Sequence, residues 1–172
     1  MNNLIPYLTK EEISDIIEKI ASRISNDYQN ETPVVLGVLN GAFMFTADLV
    51  RRLNIPVKVD FVGVSSYGSD TCTSGKVELC KALSLSIENE HVIVVEDIVD
   101  TGLSLTYLID YLKTFKPKSV KICSLLEKRE RQEKKIKIDY LGHVVTQGFL
   151  VGYGLDFDGK YRELPAIFHM NA

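Results

Sequence analysis

The chain has 172 residues, 45% hydrophobic and 25% charged, an ordinary size for one domain that can bury a core without disulfide or metal staples. Its formal charge of -3 gives no overall pull toward nucleic acid, and no apolar run approaches bilayer-spanning length. Cys72, Cys80 and Cys123 are odd in number and lack C-x-x-C spacing, and the N-terminus has no basic leader, so reduced thiols in the cytoplasm are expected.

Thr9-Lys10-Glu11-Glu12 has the pattern of a capping box, and Ile13, Ile16, Ile17, Ile20 and Ile24 recur on one helical face; the pattern predicts a helix over residues 9–28. Residues 33–39 form an apolar run that suits a buried strand. Asn40-Gly41-Ala42 then turns into a helix carrying Phe43, Ala47, Leu49, Val50 and Leu53. Gly41 permits positive φ or the close approach of a ligand to backbone, and equally marks a plain tight turn. Residues 56–64 and 76–83 alternate apolar and polar and predict the two arms of a β-hairpin. The segment between them, 65–75, has eight Ser, Thr or Gly among eleven residues. It reads as a surface loop or as a lid that excludes water.

Val92 to Val95 is an unbroken β-branched run, as expected of a strand buried on both faces of a mostly parallel sheet. Glu96, Asp97 and Asp100 follow, then Thr101-Gly102-Leu103-Ser104, then Leu105, Leu108, Ile109 and Leu112 at helical spacing. The hydroxyls of Thr101 and Ser104, a permissive Gly102 and the free N–H groups of a helix start would make a cup for a phosphate dianion, although capping alone also explains the two hydroxyls. Glu96 and Asp97 can accept hydrogen bonds from vicinal sugar hydroxyls or face hydrated Mg²⁺, so the junction suits a sugar phosphate. Neighbouring strand residues point to opposite faces, and both carboxylates reach one ribose only where the chain bends between them. Such a bend is expected here. No G-x-x-x-x-G-K-[ST] and no G-x-G-x-x-G after a strand is present, which disfavours nucleoside triphosphatases and dinucleotide binders.

The helix should end before Pro117, with strands at 120–126 and 140–145. Residues 127–137 hold six basic and three acidic side chains, mostly a solvated face. Lys128 stands out because it falls at a strand's carboxyl end, where ligand sites of α/β sheets lie. In the tail from Phe149 to Arg162, core packing accounts for Leu150, Val151 and Leu155, whereas Phe149 could offer an aromatic face to a base. The alternation predicts an α/β fold with a central, mostly parallel sheet of about five strands flanked by helices.

The string Val94-Val95-Glu96-Asp97-Ile98-Val99-Asp100-Thr101-Gly102 resembles the phosphoribosyl-pyrophosphate motif of type I phosphoribosyltransferases, and the likeness to the hypoxanthine-guanine branch extends over about residues 36–164. The resemblance implies one phosphoribosyltransferase domain over the chain, with a small hood from the N- and C-terminal segments. It implies that Glu96, Asp97, Ile98, Val99, Asp100, Thr101, Gly102, Leu103 and Ser104 hold ribose and 5'-phosphate. Backbone groups of Leu39, Asn40 and Gly41, together with Arg162, would hold pyrophosphate; many members carry Lys where this chain has Asn40, a change that spares a backbone role. Ser66-Tyr67 matches the Ser-Tyr pair of the mobile catalytic loop. Lys128 would donate to the purine 6-oxo group, Phe149 would stack on the ring, and the Leu150 backbone would read the purine edge. Asp156 would reach Mg²⁺ beside the purine, with Glu96 and Asp97 as further metal contacts.

The implied reaction is purine salvage: the 5-phosphoribosyl group passes from phosphoribosyl pyrophosphate to hypoxanthine or guanine, giving IMP or GMP and pyrophosphate, with Asp100 as general base. The resemblance also implies Mg²⁺ as cofactor and a homodimer or homotetramer, with neither nucleic acid nor membrane as partner. Transfer to another base such as xanthine is an alternative, as is a nucleotide-sensing regulator of the same fold.

Overall fold

The computed structural model describes residues 3–66, 77–130 and 133–171. Along the chain run β1 (Asn3–Leu8), α1 (Lys10–Asp27), β2 (Val34–Leu39), α2 (Phe43–Val50), β3 (Lys58–Ser66), β4 (Val77–Lys81), β5 (His91–Val99), α3 (Leu103–Lys113), β6 (Ser119–Lys128), β7 (Tyr140–Val145), β8 (Leu150–Val151) and β9 (Ile167–Asn171). The main sheet has six strands in the order β4-β3-β2-β5-β6-β7, and a separate three-stranded sheet has the order β1-β9-β8. Five main-sheet strands are parallel and β4 joins the edge antiparallel to β3. The expected five-stranded parallel sheet is therefore present with one antiparallel edge strand added by the hairpin.

Thr9 caps α1 with the reciprocal bonds of the capping box: its Oγ1 accepts from the Glu12 N–H at 3.2 Å and Glu12 accepts from the Thr9 N–H at 2.8 Å. Helix α2 ends at Val50, short of the expected Leu53. α1 and α2 cover one face of the main sheet, where Ile13, Ile17, Ile24, Phe45 and Leu49 pack with Val35, Ile93 and Val95. α3 covers the other face, where Leu105, Leu108 and Leu112 pack with Leu36, Val92 and Val94. The four residues Val92 to Val95 are fully buried, as a strand sandwiched between helical layers requires.

β5 does not stop at Val95. It continues to Val99, paired with β6 without a register shift. Its alternation holds through the acidic pair, so Glu96 and Asp97 go to different sides. The faces exchange just afterwards, Ile98 joining the cluster beneath α1 and α2 and Val99 the cluster beneath α3. The expected bend thus falls after the carboxylates, not between them, and each lines its own cavity. β6 likewise extends through Lys128, making that lysine the strand's last residue.

The small sheet is the hood implied by the resemblance. It pairs residues 3–8 with residues 167–171 and closes with the two-residue β8. Pro6, which has no N–H for the ladder, lies on its edge strand beside a register irregularity. Tyr67 and the segment 67–76 fall outside the described residues, and only the backbone end of β3 at Ser66 bears on the expected lid. Among the described residues no helix is long and apolar enough to cross a membrane.

Candidate active site

The carboxyl ends of β5 and β6, the start of α3 and the turn before β8 enclose two adjoining cavities. The smaller, of about 130 Å³, is lined by Glu96, Ile98, Val99, Asp100, Thr101, Gly102, Ser104 and Leu105, but not by Leu103. The larger, of about 250 Å³, is lined by Asp97, Ile98, Asp100, Lys128, Gly148, Phe149, Leu150, Leu155 and Asp156. Ile98 and Asp100 line both. A roomier hollow of about 600 Å³ runs along α1 and β7, but nothing in it converges as the polar groups at the strand ends do, and chemistry decides over volume.

The cup forms at the entry to α3. The N-cap residue is Gly102 at φ 80, with no side-chain cap bond; Thr101 Oγ1 accepts only a long contact from the Leu103 N–H, 3.4 Å. Capping by Thr101 and Ser104 therefore does not account for this sequence, and helix N–H groups remain directed into the cup. Gly102 is needed twice over, because a Cβ there would also lie 2.7 Å from the Lys134 carbonyl oxygen. The loop after β6 is held against the cup by Glu133 and Lys134, whose N–H groups both donate to the Thr101 carbonyl at 3.1 Å. Leu103 is 40% exposed at the first turn of the helix.

In the larger cavity the Lys128 ammonium donates to the Gly148 carbonyl at 2.9 Å. Phe149 is 49% exposed, with Phe157 edge-on to its ring at 5.7 Å. Asp156 is engaged on both oxygens: Oδ1 is 2.8 Å from an Arg162 nitrogen and Oδ2 accepts from the Gly159 N–H at 2.9 Å. Arg162 also donates to the Gly154 carbonyl. Asp156 is thus committed to Arg162, a constraint on its expected role toward a metal.

Leu39 ends β2, Asn40 and Gly41 follow it, and none of the three lines either cavity. The Leu39–Asn40 peptide is cis. Gly41 is not at positive φ; it is required by close approach, since a Cβ would meet Asp97 Oδ2 at 1.9 Å. On its other side, a Cβ on Gly154 would lie 2.0 Å from the Gly41 carbonyl oxygen. The 39–41 loop, Asp97 and the 152–156 turn therefore interlock, which brings Gly41 and Arg162 to one side of the larger cavity. Sequence reasoning missed Gly148, the two N–H groups at 133 and 134, and Gly154. Only the Gly-Tyr-Gly spacing at 152–154 gave a signal for a tight turn.

Burial, with the Asp97 charge adding to it, pushes the Glu96 carboxyl well above its usual range. Burial also pushes Asp97 up, to about 6, against the lowering effects of its own and the Ile98 N–H and of Arg162. The site so holds two adjacent acids whose charge the protein under-compensates, beside open N–H donors. Cations and hydroxyls suit the first feature and a phosphate the second.

The family model described as Phosphoribosyl transferase domain matches residues 7–158. The hypoxanthine-guanine phosphoribosyltransferase of Bacillus subtilis (strain 168) is 40% identical over 160 residues, covering 93% of this chain and 89% of that protein. A crystal structure of a hypoxanthine-guanine phosphoribosyltransferase from Bacillus anthracis superposes with a TM-score of 0.90 at 41% identity, over 95% of this chain and 96% of that one. A hypoxanthine phosphoribosyltransferase structure from Staphylococcus aureus gives a TM-score of 0.92 at 37% identity, covering 96% and 90%.

Proposed function

The chain belongs to the phosphoribosyltransferase family, and from that premise we propose that it transfers the 5-phosphoribosyl group of phosphoribosyl pyrophosphate to N9 of hypoxanthine or guanine. The observation that carries the reading is the meeting of a phosphate cup and a base-sized cavity over Ile98 and Asp100. A nucleoside monophosphate would place its phosphate in the cup and its base in the larger cavity, with the ribose over Ile98 and Asp100 and one carboxylate of the acidic pair on either side.

The cup takes the 5'-phosphate on the N–H groups of α3 and the hydroxyls of Thr101 and Ser104. Phe149 stacks on the purine, the Leu150 backbone reads its edge, and Lys128 donates to the 6-oxo oxygen. As the bond from the anomeric carbon to pyrophosphate breaks and the bond to N9 forms, the sugar becomes oxocarbenium-like. Glu96 and Asp97 offset that positive charge. Asp100, facing both cavities, accepts the proton that the purine loses. Backbone groups at Leu39, Asn40 and Gly41, with Arg162, hold the departing pyrophosphate.

Mg²⁺ fits this donor set. Among the described residues there is no cluster of three or more His, Cys, Asp or Glu, and Mg²⁺ favours one or two carboxylates plus substrate phosphates over an all-protein cage. Burial disfavours charge on both Glu96 and Asp97, and a cation held by either carboxylate together with substrate oxygens would offset it. Bound there, the ion would neutralise charge building on pyrophosphate. Asp156, paired with Arg162, would assist from behind. A cytoplasmic homodimer or homotetramer belongs to the same proposal on family grounds.

The test is a substrate panel: phosphoribosyl pyrophosphate and Mg²⁺ with hypoxanthine, guanine, xanthine, adenine and uracil, scored by pyrophosphate release and nucleotide formed. Hypoxanthine and guanine should react. Adenine presents an amino donor to the Lys128 donor and should not. A protein that used adenine as well as hypoxanthine, or transferred to no base while shifting nucleic acid at physiological salt, would refute the reading.

A further inference from the structure

We infer that His169 is a positioning residue that sets the base selectivity of Lys128, acting through the Gly148 carbonyl. The inference rests on the proposed transferase function and deepens it.

Lys128 closes β6 with its ammonium 2.9 Å from the Gly148 carbonyl oxygen. A lysine amine on a four-carbon stem has no preferred direction of its own, so that carbonyl is what aims it. The carbonyl in turn is only as fixed as Gly148, which sits at φ 100, a conformation that glycine alone adopts readily and that leaves it the most freedom to move. The His169 ring fills the place where a side chain would be. A Cβ on Gly148 would lie 2.6 Å from His169 Nδ1 and 2.8 Å from Cε1. Gly148 is therefore walled on that side by an aromatic ring.

The wall itself is braced. His169 lies in β9, opposite Leu150 of β8 and Ile5 of β1. The Tyr7 ring meets it edge-on with centroids 4.4 Å apart, and the Tyr7 hydroxyl is 3.1 Å from His143 Nε2 on β7. Residues of the hood and of the main sheet so converge behind a single carbonyl. Leu150, the cross-strand partner of His169, also lines the base cavity. The ring thus stands one residue behind the base on two sides, at Gly148 and at Leu150, without lining the cavity itself.

Without the ring, Gly148 loses the wall on its Cα side and is held from Phe149 onward, where the Phe149 carbonyl accepts from the Met170 N–H at 2.9 Å; the Lys128 ammonium then has a less fixed partner to orient it toward an exocyclic oxygen. His169→Ala should raise KM for hypoxanthine about tenfold, the size of one misaligned charge-assisted hydrogen bond. Discrimination against adenine should fall in parallel, while the affinity for phosphoribosyl pyrophosphate measured without base stays unchanged. His169→Phe keeps the wall and should retain most of the selectivity. In a Lys128→Gln background, where there is no amine to aim, His169→Ala should add no further loss.

An unchanged hypoxanthine KM in His169→Ala, a His169→Phe as impaired as His169→Ala, or fully additive losses in the double variant would each overturn the assignment. Should His169→Ala fail to fold, His169→Asn goes through the same cycle. Loss of hypoxanthine selectivity in the unsubstituted protein would instead refute the transferase reading, so the two failures are distinguishable.

Discussion

Asp60 and Asp97 are both buried, at 6% and 8% exposure, yet their surroundings treat the charge in opposite ways. Asp60 accepts from the N–H groups of Phe61, Ser84 and Leu85 and from Lys81. Burial alone would push its carboxyl up, but those donors more than reverse this and its pKa is lowered. Its contribution to stability is present above the unfolded value near 3.8 and is lost as pH falls through the folded value. Asp60→Asn should therefore cost about 2 kcal/mol at pH 7, and urea melts should show the gap to wild type narrowing in acid. Asp97 is the reverse case: its folded pKa rises to about 6, so stability is fullest below 3.8 and is lost as pH climbs through 6. With chelator present, Asp97→Asn should raise stability at pH 8 by at most about 3 kcal/mol while abolishing most turnover. No gain at pH 8 would mean that the native carboxylate is already compensated. Neither environment was legible in the sequence, since both depend on segments distant along the chain, residues 84–85 for Asp60 and Gly41 and Arg162 for Asp97. The acidic pair itself was legible from the motif. Its division between two cavities was not, because that hinges on where within β5 the faces exchange.

The junction of β5 and α3 shows what an element contributes beyond its residues. The hydrophobic run at 92–95 marked the strand, and the leucines at 105, 108 and 112 marked the helix, because both patterns are local and periodic. The strand's last four residues were not marked. Acidic residues rarely prolong a buried strand, and here Glu96 and Asp97 are kept in the ladder with β6 at the expense of their own solvation. The helix start admitted two readings in the sequence, because Thr and Ser are good caps and also good phosphate ligands; Gly102 takes the cap position and leaves the N–H groups open. Gly102→Ala tests this. An alanine would be held at φ 80 with its Cβ 2.7 Å from the Lys134 carbonyl, and should cost about 1–3 kcal/mol. Because the Lys134 loop would be pushed from the cup, KM for phosphoribosyl pyrophosphate should rise more than KM for the base. A variant with lower thermal stability but an unchanged KM for phosphoribosyl pyrophosphate would separate the cup from phosphate binding.

At the scale of the molecule, the proposed substrate lies between two sheets, with its phosphate on the main sheet and its base on the turn that leads into the hood. The hood was not legible as strands. β1 contains a proline, β8 has two residues, and β1 finds its partner about 160 residues away in β9, so no local pattern announces the pairing. Beyond strand pairing, the hood's carboxyl-side turn is fastened to the body by Tyr153. That residue is buried, adopts φ 51 between two glycines near φ 99, and donates its hydroxyl to Asp48 of α2 at 2.5 Å. A buried tyrosine in the left-handed region is strained, and the Asp48 bond with the packing around it holds it there. The same turn carries the Gly154 carbonyl that receives Arg162, and it rests on Gly41. Loosening it should reach both sides of the proposed pyrophosphate site at once. Tyr153→Phe keeps the ring and removes one hydrogen bond to a charged group, a loss of about 1.5–3 kcal/mol. Thermal melts should show that loss in the free protein. They should also show a smaller stabilising shift with pyrophosphate and Mg²⁺ than in wild type, and an unchanged shift with hypoxanthine. An equal fractional decrease for both ligands would make Tyr153 a support of the whole hood, with no particular bearing on pyrophosphate.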